Sequence, residues 1–392
     1  MSSFPLFFVP CVYLIINAYM FVRIYKTLSG TGFLRGIVCI AFLFFAVGFP
    51  LGRLLDGYLP VQLSRVLSFV GSIYLAPMLY GFILTVITDL LRLLNGVIII
   101  TPNPPPFTLS GRVSVVTFLL VASIAITLAG ALNAKFITTI RHEIEWKRPG
   151  GAEDQPYQLT IALVSDIHLG GFVGAKHLKN IVELTNDQMP DIVLIAGDIF
   201  DDGLWLNDAE RREEAIGLFS SFSARLGTWA IPGNHDHYAG VEKAGELLDQ
   251  AGINLLRDEL VSPGGELTLI GRDDRSVVMK TGKARAKLED ILSSYGGLTS
   301  ADRRLPLVVM DHQPFNLDES QSIGATLQVS GHTHRGQLIP VNLAVACIFE
   351  RHYGLYRKGD TSYFITSGAG TWGPPVRTSG RPEIVILVLD IT

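Results

Sequence analysis

Four long apolar runs without a charged residue crowd the first 134 residues, and they restrict this chain more than any other feature. One ends at Val22, and the others are Gly36–Gly52, Val66–Thr88 and Val113–Ala134. A bilayer-spanning helix needs about 20 mostly apolar residues, with a lower limit near 17. Three runs meet this, and Gly36–Gly52 sits at the limit. Helices of a soluble core would carry a polar face, which these runs lack. A signal peptide would account only for the first run, and no small-residue cleavage site follows it. Asn103-Pro-Pro-Pro106 reads as loop, because proline interrupts a helix interior.

Charge divides the chain in the same place. Met1 to Ala134 holds seven Lys/Arg and two acids, Asp56 and Asp89, whereas the remainder holds 25 basic and 34 acidic residues. All nine histidines lie beyond Ala134. The 17% charged content is therefore an average of a nearly uncharged part and an acidic, ordinarily charged one. With a net charge of −4, nothing in the balance points to nucleic acid. Three cysteines exclude a disulfide scaffold, since Cys11 and Cys39 fall in apolar runs and leave Cys347 alone in the polar part. At roughly 150 residues per domain, 392 residues make two or three units. The division expected is a transmembrane helical region at 1–134, a linker at 135–157 and a soluble domain at 158–392. The protein is expected in the cell membrane as a multi-pass chain. Four spans would put five Lys/Arg in loops on one side and six on the other, so the positive-inside rule assigns no orientation.

After the linker-like Arg148–Pro156, short β-branched runs alternate with charged helical stretches. Strands are expected at Leu159–Val164, Ile192–Ala196, Thr228–Ile231, Leu267–Ile270, Leu307–Met310, Thr326–Val329, Tyr363–Thr366 and Ile384–Leu389. Helices are expected at Ala175–Gln188, Asp208–Phe222 and Lys243–Gln250. This alternation indicates an α/β layered domain.

Five strands lead into polar clusters: Ser165-Asp166-Ile167-His168, Gly197-Asp198-Ile199-Phe200-Asp201, Gly233-Asn234-His235-Asp236, Asp311-His312 and Gly331-His332-Thr333-His334. Open α/β sheets bind ligands at the carboxyl edge of their strands. Residues two apart on an extended segment face one way, so Asp166 with His168, and His332 with His334, would each clasp an ion. Carboxylate, amide and imidazole ligands without thiolate suit Mn²⁺, Fe or Zn²⁺. Asp166, His168, Asp198, Asn234, His312, His332 and His334 are too many ligands for one ion. With Asp198 bridging they suit two divalent ions about 3.5–4 Å apart. His142, His177, His237 and His352 have no motif position and read as structural.

In this order the clusters resemble the calcineurin-like metallophosphoesterase family, whose pattern is D-x-H, G-D-x-x-D, G-N-H-[DE], a lone H and G-H-x-H. The resemblance runs from about Leu159 to the C-terminus. The Gly-His-Thr-His-Arg-Gly-Gln wording and the tail Ser367–Gly370, Pro374–Arg377 and Pro382-Glu-Ile look like its bacterial membrane-associated branch, some members of which act on the pyrophosphate of UDP-diacylglucosamine. Arg335 stands where that branch usually has glycine.

The resemblance implies an α/β four-layer αββα sandwich preceded by an all-α transmembrane region of about four helices. It implies one metal ion on Asp166, His168 and His334, a second on Asn234, His312 and His332, and Asp198 bridging. His235 would lie beside the phosphate as a catalytic residue, with Asp201 orienting it. The expected function is hydrolysis of a phosphodiester, phosphomonoester or pyrophosphate bond. Tethering the site beside a bilayer makes a lipid-borne substrate one reading, and helices that only anchor the enzyme the other. Gly203–Leu206, Phe349–Tyr356 and Trp372–Arg377 are the segments expected to touch membrane lipids. The alternatives are a metal-binding scaffold without turnover, and a transporter regulated by the metal domain. The complete ligand set disfavours the first, and the absence of histidine or an acidic pair from the apolar runs disfavours the second.

Overall fold

A computed structural model describes residues 4–28, 32–54, 58, 61–98, 109–149, 155–299 and 302–392. Asn103–Pro106 and residues 150–154 of the linker-like tract lie outside these. The chain forms two compact units, Met1–Ala131 and Leu132–Thr392.

The first unit holds four helices, α1 (Phe4–Thr27), α2 (Gly32–Leu54), α3 (Val61–Ile98) and α4 (Leu109–Asn133), the last two residues of α4 belonging to the second unit. Among the described residues, Val66–Asn95 and Val113–Asn133 are long and apolar enough to cross a membrane, and Gly32–Gly48 is a shorter apolar helix. By that measure the described residues support two spans rather than the four expected. Several polar groups inside this unit pair with one another. Asp89 on α3 accepts from Tyr19 at 2.5 Å and pairs with Arg23 of α1 and with Arg92. Asn17 on α1 donates to the Tyr13 carbonyl and accepts from Tyr74 on α3.

The second unit is built on two mixed six-stranded sheets. The first contains β1 (Thr138–Trp146), β2 (Tyr157–Val164), β3 (Ile192–Ala196), β4 (Thr228–Ile231), β5 (Ile253–Leu255) and, late in the chain, β12 (Glu383–Ile391). The second contains β6 (Glu259–Val261), β7 (Thr268–Gly271), β8 (Leu307–Met310), β9 (Leu327–Ser330), β10 (Gly354–Lys358) and β11 (Thr361–Ile365). Their orders are β1-β12-β2-β3-β4-β5 and β10-β11-β9-β8-β7-β6. Strands β2 to β5 run parallel, as do β7, β8, β9 and β11. Much of the stretch read as a linker is therefore strand: β1 pairs with β12 from Thr138↔Glu383 to Trp146↔Ile391.

Side-chain alternation explains the layers. On β2, Ile161 and Leu163 pack with Val308, Met310, Leu327 and Val329 of the second sheet, while Ala162 and Val164 pack with Leu178, Ile181 and Leu247 of the helices. On the second sheet Ile270, Leu307 and Val309 turn the other way, onto Leu288 and Ile291 of helix Leu288–Ser294. Both faces of each sheet are thus covered, giving helix, sheet, sheet, helix, and such strands read as continuous apolar runs. The parallel strands β2, β3, β4, β8 and β9 all release their polar clusters at their carboxyl ends.

Candidate metal centre

The chain folds back sharply where each strand ends. Asp166, His168, Asp198, His332 and His334 all have φ between 48° and 69°. Non-glycine residues rarely adopt this left-handed conformation, and it costs energy that the surroundings must offset. Asp166 and His168 therefore converge through tight turns, not through the extended geometry expected from their spacing. The His332–His334 pair is divided: His334 joins Asp166 and His168, whereas His332 joins Asp198 and His312, the ligand atoms of each trio lying within 4.8 Å of one another. Close approach of the loops depends on glycine. A Cβ on Gly331 would overlap Ser165 Oγ and Asp166 Oδ2, and one on Gly233 would overlap Asp198.

In the first trio, His168 Nε2 lies 3.0 Å from His334 Nε2, and His334 Nε2 lies 3.3 Å from Asp166 Oδ1. In the second, His312 Nε2 lies 3.2 Å from Asp198 Oδ2. The same Asp198 oxygen is 3.6 Å from His168 Nε2, so it stands between the two trios. Asn234 starts helix Asn234–Ala239, and its Oδ1 is buried without a hydrogen bond, as is His312 Nε2. Nitrogen and oxygen ligands bind a transition metal at about 2.0–2.2 Å, which spaces ligands of one ion roughly 3–3.5 Å apart. Facing imidazole nitrogens at 3.0 Å and the unpartnered, buried Asn234 Oδ1 fit divalent cations as ligands.

Hydrogen bonds set the imidazole tautomers. His312 Nδ1 is 2.8 Å from the Ala196 carbonyl, which only accepts, so Nδ1 carries the proton and Nε2 is left for a ligand role. Asp201 Oδ1 lies 3.1 Å from His168 Nδ1 and 3.1 Å from His235 Nδ1. Burial disfavours the Asp201 charge, but its bonds to His168 and His235 prevail and hold its carboxyl well below the usual range. Burial likewise opposes the charge on His235, yet the bond to Asp201 and the charges of Asp198 and Asp201 raise its imidazole to about 9. Burial and neighbouring His312 lower His332 to about 4, so it stays neutral as a ligand must. Eight of the nine expected site residues fall in these candidate ligand clusters, and Asn234 precedes His235 in the chain.

Three supporting residues were not anticipated. Asp236, the fourth residue of Gly-Asn-His-Asp, accepts from the backbone N–H groups of Gly233, Ile199 and Phe200, tying the β3 loop to the β4 loop. Burial and the nearby Asp198 charge raise its carboxyl to about 6. Ser165 donates within the β2 loop to Asp166 Oδ2 or the Ala196 carbonyl. Arg377 is wholly buried, donates to the Ser367 and Gly370 carbonyls at 2.6 and 2.7 Å, and lies 3.2 Å from His334 Nδ1. The position of Asp236 within its motif was a usable cue, whereas Arg377 offered none beyond the tail wording. Trp205 and Leu206 are buried, and Trp205 donates to the Gly170 carbonyl, so Gly203–Leu206 is packing and not the lipid contact expected of it.

The two sheets converge on an edge of candidate metal ligands, and residues 159–336 match the family described as calcineurin-like phosphoesterase. That segment of the chain is thus similar to the calcineurin-like phosphoesterases. It is 33% identical over 236 residues to an uncharacterized metallophosphoesterase of Helicobacter pylori strain J99, covering 59% of this chain and 60% of that one. It is 33% identical over 241 residues to a Danio rerio transmembrane protein with metallophosphoesterase domain, covering 59% and 53%. A Campylobacter jejuni metallophosphoesterase aligns over 98% of this chain and 97% of its own at 26% identity. The match thus spans little more than half of the Helicobacter and Danio relatives. Among solved structures, a Danio rerio dimetal phosphatase superposes with a TM-score of 0.30 at 14% identity, covering 53% of this chain and 86% of that one.

Proposed function

We propose that the protein is a multi-pass membrane enzyme that uses two divalent metal ions, Mn²⁺, Fe or Zn²⁺, to hydrolyse a phosphate ester carried on a lipid. The observation that carries this reading is the place of Asp198 Oδ2 between His168 Nε2 at 3.6 Å and His312 Nε2 at 3.2 Å. Asp166, His168 and His334 would hold one ion, Asn234, His312 and His332 the other, and Asp198 both. When bound, the ions neutralise charge on the phosphoryl oxygens and acidify the attacking water.

The remaining work falls to the chain. His235 keeps its Nδ1 proton on Asp201, and as an imidazolium it offers the Nε2 proton to the leaving oxygen as the P–O bond breaks. Water supplies the new oxygen on phosphorus. Asp201 holds the His235 ring in place and, through His168, also aligns a ligand. Asp236 locks the two loops that carry Asp198 and Asn234. Membrane attachment is supported by the apolar helices and by the Danio relative's name. With α1–α4 as the anchor, the site would work on substrates confined to the bilayer surface.

The test uses the full chain in nanodiscs, stripped with a chelator and reloaded with Mn²⁺. An aryl phosphomonoester, an aryl phosphodiester and a lipid pyrophosphate are offered. Metal-restored turnover, fastest on the lipid, is expected. Two bound ions with no turnover of any ester would replace this reading with the scaffold.

A further inference from the structure

Helix Val341–Ile348 (VNLAVACI) is an anomaly in a folded domain. It contains no charged residue, and none of its residues is buried. Leu343 and Ile348 are 64% and 63% exposed, and nearby Trp372 is 56% exposed. A helix this apolar normally hides a stripe, and a contiguous exposed patch marks an interaction surface.

Its surroundings say what covers it. The turn 377–380 takes hydrogen bonds from two directions. From one side Asn133 Nδ2, at the end of α4, donates to the carbonyls of Arg377 at 3.0 Å and Gly380 at 2.8 Å. From the other side Ile339 N, just before the apolar helix, donates to Thr378 Oγ1 at 2.9 Å. The terminus of an apolar span and the root of an exposed apolar helix are thus fastened to the same four residues. Arginines flank the helix in sequence and meet the shared turn. Arg351 follows the helix with its guanidinium 4.5 Å over the Tyr356 ring, Arg335 precedes it, and the exposed Arg381 donates to Asn133 Oδ1. The acid next to the helix, Glu350, is paired with Lys358 at 2.8 Å. An apolar face flanked by arginine complements acyl chains below anionic headgroups.

We propose that helix Val341–Ile348 beds in the surface of an anionic lipid leaflet and presents the adjoining His332–His334 turn to it. This rests on reading Val113–Asn133 as a membrane span. The helix is coupled to that turn: a Cβ on Gly336 would collide with the backbone of Asn342, and the Phe349 ring lies 5.9 Å from the His332 ring.

Cys347 on the helix is exposed and serves as a native probe. The full chain with Cys11→Ser and Cys39→Ala is labelled there with a polarity-sensitive fluorophore and placed in phosphatidylglycerol nanodiscs containing a lipid with a shallow spin label. A matching chain with Cys347→Ser carries the label at Asp187→Cys, an exposed site at the opposite strand edge. Quenching at Cys347 at least threefold stronger than at position 187 is expected. Leu343→Glu with Ile348→Glu should lower turnover of a vesicle-borne phosphate ester at least tenfold and leave a soluble aryl ester within twofold. Equal quenching at the two positions overturns the proposal. So does a fluorophore at Cys347 that responds to protein concentration in detergent but not to lipid, which would put a second copy of the chain on the patch. Strong quenching without turnover of either ester keeps the docking and removes the phosphoesterase reading. Turnover of both esters with an unquenched Cys347 does the reverse.

Discussion

Asp201 Oδ1 lies 3.1 Å from His235 Nδ1, and the same oxygen is equally close to His168 Nδ1. One carboxylate therefore orients both the proposed proton donor and a proposed metal ligand. Asp201→Asn should lower kcat about 10–100-fold, the usual cost of losing such an orienting partner. It should also weaken retention of one of the two ions. Steady-state kinetics and metal content after dialysis read the two effects, and a kcat equal to wild type with both ions retained would refute the shared role.

Asp198 belongs to the trio with His312 and His332 and also reaches His168 of the other. Asp198→Asn removes the shared negative charge, and both ions should leave together, with activity falling below detection. Loss of a single ion by elemental analysis, with the other retained at wild-type affinity, would show that Asp198 serves one site only.

Glycine-to-alanine substitutions should differ in sign with position. Gly331→Ala forces a methyl group into Ser165 and Asp166, and overpacking of this kind costs about 1–3 kcal/mol. Gly217→Ala, in the last turn of helix Ala209–Phe219 with open space around the new methyl, should stabilise by about 0.4–1 kcal/mol. Thermal unfolding of the full chain in detergent compares them. Gly331→Ala should also lose metal, because it displaces Asp166.

Asp273 bonds to His237 Nε2 at 2.7 Å and to Arg257 Nε at 2.9 Å, in a cluster beside the site. Burial opposes its charge, but these partners outweigh burial and lower its carboxyl below the ordinary value. A carboxyl with a depressed folded-state pKa stabilises fully above its unfolded value of about 3.9, and that contribution vanishes as pH falls through the folded value. The stability gap between wild type and Asp273→Asn should thus be widest above about pH 5 and close toward pH 3. A gap that stays constant across this range in urea titrations would exclude the ionic contribution.

The catalytic edge was legible because its chemistry is written in short words at strand ends. Leu159–Val164, Ile192–Ala196, Thr228–Ile231 and Leu307–Met310 are apolar runs with both faces buried, and each stops where its polar cluster begins. What could not be read depends on distant partners. β1 carries Arg141, His142, Glu143 and Glu145 and alternates like an exposed edge, so only its pairing with β12 makes it part of the sheet. Trp205 looked like a membrane residue by type, and burial against the helices decided otherwise. The left-handed turns at Asp166 and His332 carry no composition cue, since most such positions are filled by glycine. Helix Val341–Ile348 was overlooked because its apolarity matches that of a core helix, and only the finished fold leaves it uncovered.

The place of β12 has a consequence for how the molecule comes into being. Glu383–Ile391 lies between β1 and β2, and among the described residues β1 pairs with no other strand. As the ribosome proceeds, Thr138–Trp146 must wait, unpaired, until nearly all of the second unit has been made. Contacts so far apart in sequence form slowly. The first strand of the second unit is therefore the last to find its place, and its unpaired backbone persists throughout synthesis.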